Sequence, residues 1–182
     1  MLLVLSPASA RPRRPRRNAV LRLLSFLAVF LAAVSPACAA DSTYRDPRQP
    51  SFTLLVPDGW TATSNNHGVM VSRDDNYLML RVFSGTMSPG ALLVQVRPQF
   101  EQQWKQFREI ETGRTRFGGL DGTFVIYGGV PPSGIESIQR IVAATNGQLT
   151  YAAFIGMPVG KAQQRKADLD RIERSFTPDP VR

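Results

Sequence analysis

Past residue 50 the chain switches between two hydrophobic periods. Short runs rich in Val, Ile, Phe, Leu and Thr, separated by Gly, Pro, Asn and Asp, predict strands. They fall at Phe52 to Val56, Trp60 to Thr63, Val69 to Ser72 and Tyr77 to Phe83. A second group follows at Arg114 to Phe117, Thr123 to Gly128, Ile138 to Ala144 and Leu149 to Met157. The punctuation between them is turn chemistry. Pro57-Asp58-Gly59 predicts a type I turn opening at Val56, Asp74-Asp75-Asn76 a turn before the fourth strand, and Asn146-Gly147 a tight hairpin.

Two stretches carry the helical period instead. Ser88-Pro89 predicts a helix start, with Ser as N-cap and Pro at the first helical position. Leu93, Val96, Phe100, Trp104 and Phe107 then form one apolar stripe spaced 3, 4, 4 and 3. Pro98 lies inside it and predicts a kink, because proline removes one helical hydrogen bond. Lys161 to Phe176 predicts a last helix with Leu169, Ile172 and Phe176 on one face. Asp168 with Arg171, and Asp170 with Arg174, are placed to pair outside it. Strands joined by tight turns pair antiparallel, and amphipathic helices need a sheet to lie on. The expected fold is therefore α+β, an antiparallel sheet of about six or seven strands flanked by helices over 51–177. Residues 41–50 are expected to be a flexible lead, and 178–182 a frayed tail.

The first forty residues follow different rules. A basic segment, Arg11-Pro-Arg-Arg-Pro-Arg-Arg17, precedes an apolar run from Leu23 to Val34 broken only by Ser25. Small residues follow at 35–40. A basic region, a short apolar region and Ala-x-Ala spacing are the parts of a secretory signal. The apolar run is shorter than the roughly 20 residues a membrane span needs. Cleavage is expected after Ala39, with Ala37 at position −3, or after Ala40. A general secretory signal fits better than a twin-arginine one built on Arg16-Arg17. The expected location is periplasmic or secreted, without membrane insertion after cleavage.

This reading changes the charge. The whole chain carries 22 basic and 14 acidic residues, a formal net charge of +8. Residues 1–40 hold six arginines and no acid, which leaves +2 on the rest. The basic character belongs to the segment expected to be removed, so it implies no nucleic-acid partner. Cys38 is the one cysteine. It reads either as a small residue tolerated at the cleavage region or as a lipidation site. Pro36 sits badly in a lipoprotein signal. Without another thiol the mature domain has no intrachain disulfide and depends on its core.

Candidate chemistry is sparse. His67 is the one histidine and sits among Ser, Asn and Gly, which reads as a solvated turn. With no second His and no mature Cys, the sequence advertises no zinc-type ligand set. Asp74-Asp75-Asn76 lacks the alternating oxygens of a calcium loop. Gly118-Gly119 and Gly128-Gly129 belong to no phosphate-binding motif, and no mature serine lies in G-x-S-x-G. Glu109 and Glu111 are neighbouring acids without a reason to differ in pKa. Trp60 and Trp104 read as core anchors. Arg114 and Arg116 share a strand face, with Arg140 near them if those strands pair; they read as an ordinary solvated face in preference to a small cationic face for an acidic partner.

Phe52 leading into Pro57-Asp58-Gly59-Trp60 resembles the opening of the Mog1/PsbP-like fold, which includes PsbP-like and DcrB-like bacterial families. Phe117-Gly-Gly-Leu-Asp-Gly122 before a strand, and the final helix from Leu169-Asp-Arg-Ile to Ser175-Phe176, are similar too. The resemblance spans roughly 51–177 and implies an antiparallel sheet between helices, an α/β/α sandwich. It also implies, in most members, no enzymatic activity. Members serve as photosystem II extrinsic subunits, as binders of a small GTPase, or as exported proteins of unknown role. None of their functional residues maps onto this chain. The expectation is an exported, non-catalytic binding or accessory module with no cofactor and an unidentified protein or small-molecule partner. Two alternatives stand beside it: a periplasmic hydrolase whose site is dispersed in sequence, and an envelope factor anchored through a lipidated Cys38.

Overall fold

The computed structural model describes residues 40–48, 52–66, 68–85 and 87–180. The expectations for Ala37, Cys38, Ala39 and His67 fall outside these residues.

Ten strands and two α-helices are present among them. The large sheet has seven strands, all antiparallel, in the order β3-β4-β5-β9-β8-β7-β6. These are β3 (Thr61–Asn65), β4 (Gly68–Arg73), β5 (Asn76–Ser84), β6 (Lys105–Phe117), β7 (Leu120–Val130), β8 (Ser137–Thr145) and β9 (Leu149–Pro158). A small sheet joins β1 (Ser42–Arg45), β2 (Phe52–Val56) and β10 (Thr177–Pro178) in the order β1-β2-β10. Helix α1 (Pro89–Gln103) carries the chain from β5 to the far edge at β6. Three hairpins bring it back, so that β9 closes against β5. Helix α2 (Ala162–Ser175) follows a single 3-10 turn. The expected α+β class and antiparallel sheet are both present.

The sheet separates two cores. On one face α2 and the small sheet pack over it, burying Phe52, Leu54, Trp60, Leu80, Tyr151, Leu169, Ile172 and Phe176. On the other face α1 buries Leu92 and Leu93 against Val125, Tyr127, Ile141 and Phe154. This explains why β8 and β9 are apolar on successive residues: both of their faces are covered.

Several expectations shift. Residues 42–45 are not an unstructured lead: they pair with β2 from Ser42↔Val56 to Arg45↔Thr53. Next to them Asp46 is buried, and its carboxylate takes bonds from the Arg48 backbone N–H (2.9 Å) and guanidinium (2.6 Å). Burial alone pushes that carboxyl pKa up. The Arg48 contacts pull it down, and the net is below the ordinary value. At the other end, Pro178, expected in the frayed tail, is held on β2 opposite Phe52.

The first turn lies one residue later than predicted, since Trp60 N–H bonds the Pro57 carbonyl at 3.0 Å. The Asn146-Gly147 hairpin forms, with Asn146 Oδ1 accepting from the Gln148 and Leu149 N–H groups. Helix α1 starts as expected, Ser88 Oγ accepting from Ala91 N–H at 3.2 Å, and runs through Pro98 without a break. It ends before Trp104, whose backbone is extended, and Phe107 lies on β6. The apolar stripe was spaced for a helix but serves burial. Phe107 and Phe100 still meet at Tyr127, with ring centroids 5.0 and 5.3 Å away. On α2, Arg171 lies 3.8 Å from Asp168, whereas Asp170 pairs with Lys166 at 2.6 Å instead of with Arg174.

Candidate functional site

The widths of the layers decide where the surface opens. Seven strands at about 4.8 Å spacing make a sheet roughly 29 Å across. An α-helix with its side chains is about 10–12 Å wide. Helix α2 packs on β2, β5 and β9, so on that face the stretch of β6, β7 and β8 around Ile110, Ile126 and Ile138 stays partly open, while Phe117, Val142 and Ala144 of β6 and β8 are buried.

That open stretch forms a cleft of about 600 Å³, within the range of roughly 300–1,000 Å³ common for ligand sites. Its floor is Ile110 (β6), Ile126 (β7), Ile138 (β8), Ile155 and Met157 (β9). Gly128 makes room for one of these: a Cβ there would lie 2.9 Å from Ile110 Cδ1. Ile110 is 49% exposed, an uncommon state for a large aliphatic on a strand, and extends the floor toward the sheet edge. Leu169 of α2 forms the inner wall.

The rim is charged and mostly self-paired. Arg140 reaches across to Glu173 with two hydrogen bonds of 3.3 Å, while its guanidinium carbon sits 4.2 Å from the centre of the Phe124 ring. Lys166 pairs with Asp170. Arg174 donates to the Asp170 carbonyl at 3.0 Å and carries the one rim charge outside an ion pair among the described residues. Paired ions around an apolar floor favour binding of apolar groups over acid–base chemistry. Among the described residues no three His, Cys, Asp or Glu side chains come close enough to hold a metal ion. No described helix is long and apolar enough to cross a membrane.

The opposite face carries two adjoining cavities of about 340 and 430 Å³ that share Tyr77, Phe100 and Gln139. Tyr77 donates its hydroxyl hydrogen to Gln139 Oε1 at 2.7 Å, and burial raises the Tyr77 pKa. Trp104 is half-buried and lines the larger of the two. Trp60 is the core anchor expected of it, and its indole N–H reaches Asp168 at 3.2 Å.

The small cationic face does not form. Arg114 and Arg116 stand opposite Thr123 and Asp121 on β7, and β7 separates β6 from β8. Arg140 projects from β8 toward α2, whereas Arg114 lines a hollow on the α1 face. Arg116 instead binds the Gly119 carbonyl at 2.9 Å. Glu109 pairs with Arg97 at 2.8 Å, and Glu111 is exposed. Asp74 and Asp75 form the expected turn and reach Arg165 and Lys161 of the α2 segment. Gly118-Gly119 is the two-residue connection between β6 and β7. Ala40 is exposed at the start of the described chain.

Cyanobacterial PsbP (CyanoP) from Synechocystis superposes on the chain with a TM-score of 0.58 at 14% identity. It covers 80% of this chain and 96% of that one. The chain has a PsbP-like fold. Two further PsbP-like structures agree. LpqN, involved in cell envelope biogenesis of Mycobacterium tuberculosis, matches at TM-score 0.51 and 14% identity over 77% of this chain and 92% of its own. A putative regulator of unknown function from Pseudomonas aeruginosa matches at 0.51 and 12% over 78% and 99%. No family model matches the sequence, and no curated relative does. The PsbP-like likeness is therefore one of backbone.

Sequence reasoning did not assemble Ile110, Ile126, Ile138 and Met157 into one cleft. The signal was present as a mismatch: β7 and β8 are apolar on both faces, but α2 offers only the narrow stripe Leu169, Ile172 and Phe176 to cover one of them.

Proposed function

We propose that this chain is an exported, non-catalytic accessory module, and that the cleft beside α2 receives apolar side chains of a protein partner. The observation that carries this is the isoleucine floor, open along the sheet face and continued by exposed Ile110. A shallow extended floor suits a polypeptide, and exposed apolar area of this kind marks interaction sites. Apart from Arg174 the rim ions are mutually paired, so docking over them leaves no other rim charge buried without a partner.

Export rests on the signal-like residues 1–40. In support, Asp41 is already engaged in the fold: it pairs with Arg171 and accepts from the Asp58 N–H at 3.2 Å. Cleavage after Ala39 or Ala40 leaves these bonds intact. The PsbP-like LpqN, involved in cell envelope biogenesis, fits the same picture of an accessory protein.

The test is site-specific photocrosslinking in the native host. A crosslinking residue at Ile110 is compared with one at Val94, which is 74% exposed on α1. One discrete adduct from position 110 and none from 94 supports the reading. Equal labelling at both, or none at 110, defeats it.

A further inference from the structure

We propose that the cavity between α1 and β5 is a binding site for a small organic carboxylate with an apolar body, anchored by Arg81. It lies on the opposite face from the cleft beside α2 and stands whether or not that cleft binds a protein. Alternate residues of β5 build it. Met79, Arg81 and Phe83 project toward α1, with Phe154 of β9 beneath them. Met87 closes one end, and its carbonyl accepts from the Thr150 hydroxyl at 2.6 Å. The enclosed volume is about 340 Å³, at the small end of the ligand-site range of roughly 300–1,000 Å³.

Arg81 is the feature that points to a ligand. It is half-buried, and its Nε is fully buried with no hydrogen-bond partner among the described residues. The half-buried Arg140 and Arg165 each hold a carboxylate. Arg81 has none among the described residues, and no described Asp or Glu lines its cavity. A buried donor left unpaired costs free energy and calls for an acceptor.

The chemistry of the acceptor follows from the walls. One guanidinium presents a planar fork that matches a single carboxylate bidentately. A phosphate dianion would want a second cation, and none is there. Met79, Met87, Phe83 and Leu92 then surround an apolar body, and the methionines adapt to its shape. The exposed amides of Gln95 and Gln99 stand at the mouth.

Methionine-methyl NMR on the purified chain tests this, because the methionines report on different cavities. Met79 and Met87 line this one, whereas Met157 lines the cleft beside α2 and the adjoining cavity at Trp104. Octanoate is the probe and 1-octanol its neutral counterpart. Octanoate is expected to shift Met79 and Met87 saturably and leave Met157 in place. Octanol should bind about ten- to hundredfold more weakly, the worth of a charge-assisted hydrogen bond. Arg81→Gln should reduce octanoate to the octanol level. Arg81→Lys, which keeps the charge but not the fork, should fall between and guards against a folding artefact. Shifts at Met157 instead, equal affinity for octanoate and octanol, unchanged octanoate binding in a folded Arg81→Gln chain, or no saturable shift at all would each overturn the assignment.

Discussion

Phe176 ties three parts of the molecule together, so its removal tests the packing argument directly. It is 1% exposed at the end of α2. Its ring stacks on Phe117 of β6 at 4.2 Å and 12°, and tilts against Tyr151 of β9 at 5.2 Å and Phe52 of β2 at 6.0 Å. A buried Phe→Ala change costs about 3–5 kcal/mol, of which each aromatic pair supplies about 0.5–1.5. Against a domain stability of about 5–15 kcal/mol this is a large share. With a urea m-value of about 2 kcal/mol/M, the unfolding midpoint of Phe176→Ala should fall by roughly 1.5–2.5 M with m unchanged. Gly118 sharpens the test. Its φ is +59°, and a Cβ there would lie 2.5 Å from Phe176 Cδ1 and 2.8 Å from Pro178 Cδ. Gly118→Ala alone therefore adds a steric clash to a left-handed strain of about 1–2 kcal/mol. In the Phe176→Ala background most of the clash is gone and the strain remains. The double variant should be less destabilised than the sum of the singles by about 1–2 kcal/mol, read by far-UV circular dichroism and tryptophan fluorescence together. Additivity within about 0.5 kcal/mol would mean that the ring does not press on the hairpin.

Glu173→Gln should cost about 1–2 kcal/mol in urea melts, between the surface and buried limits for ion pairs, since the Arg140 and Glu173 side chains are 24% and 15% exposed; a loss below about 0.3 would place the pair in effective solvent. Burial is the leading cause that raises the pKa values of Tyr44, Tyr77, Tyr127 and Tyr151 above 10.0. The folded chain thus holds these protons more tightly than the unfolded one. Their contribution is complete below pH 10 and is lost as the pH rises through the folded values, so urea stability should fall above pH 10 and phenolate absorbance should appear with unfolding. Tyr77→Phe should flatten that fall, and an unchanged slope would count against its burial. Intact mass of the exported protein should place its N-terminus at Ala40 or Asp41, whereas an acylated Cys38 would replace the cleaved-signal reading with the lipid-anchor one.

What was legible in the sequence was local. The turn at Asp74-Asp75 is flanked by Asn76, whose amide donates to the Arg73 carbonyl, the Asn146 hairpin is closed by its own side chain, and alternation between them fixes the strands. What was hidden depends on partners distant in sequence. Strand β1 is four polar-looking residues around Tyr44, and only pairing with β2 makes it a strand. Trp104 and Phe107 kept a helical spacing after the helix had ended: Phe107 packs on the core that α1 serves, and Trp104 meets that core through an edge contact with Phe100. Arg81 sits in Leu-Arg-Val-Phe, where nothing marks it as facing a cavity. The cleft beside α2 comes from the difference in width between a sheet and a helix, which no single residue encodes.

The edges of the sheet narrow the modes of binding that remain. Strand β6 is thirteen residues long and pairs on one side only, which ordinarily invites another strand. It is blunted in two ways. Its register with β7 slips twice, between Lys105 and Arg108 and between Glu109 and Glu111, and Gln106 has a φ of +53°. Arg108, Glu109, Glu111, Arg114 and Arg116 also crowd it with charge. Bulges and charges of this kind discourage edge-to-edge pairing. The opposite edge, β3, has only five residues and begins Thr-Ala-Thr-Ser. With both edges of the large sheet poor templates, the two proposed sites lie on its faces, and there Ile110 and Ile126 on one side and Arg81 on the other would meet their ligands through side chains rather than through an added strand.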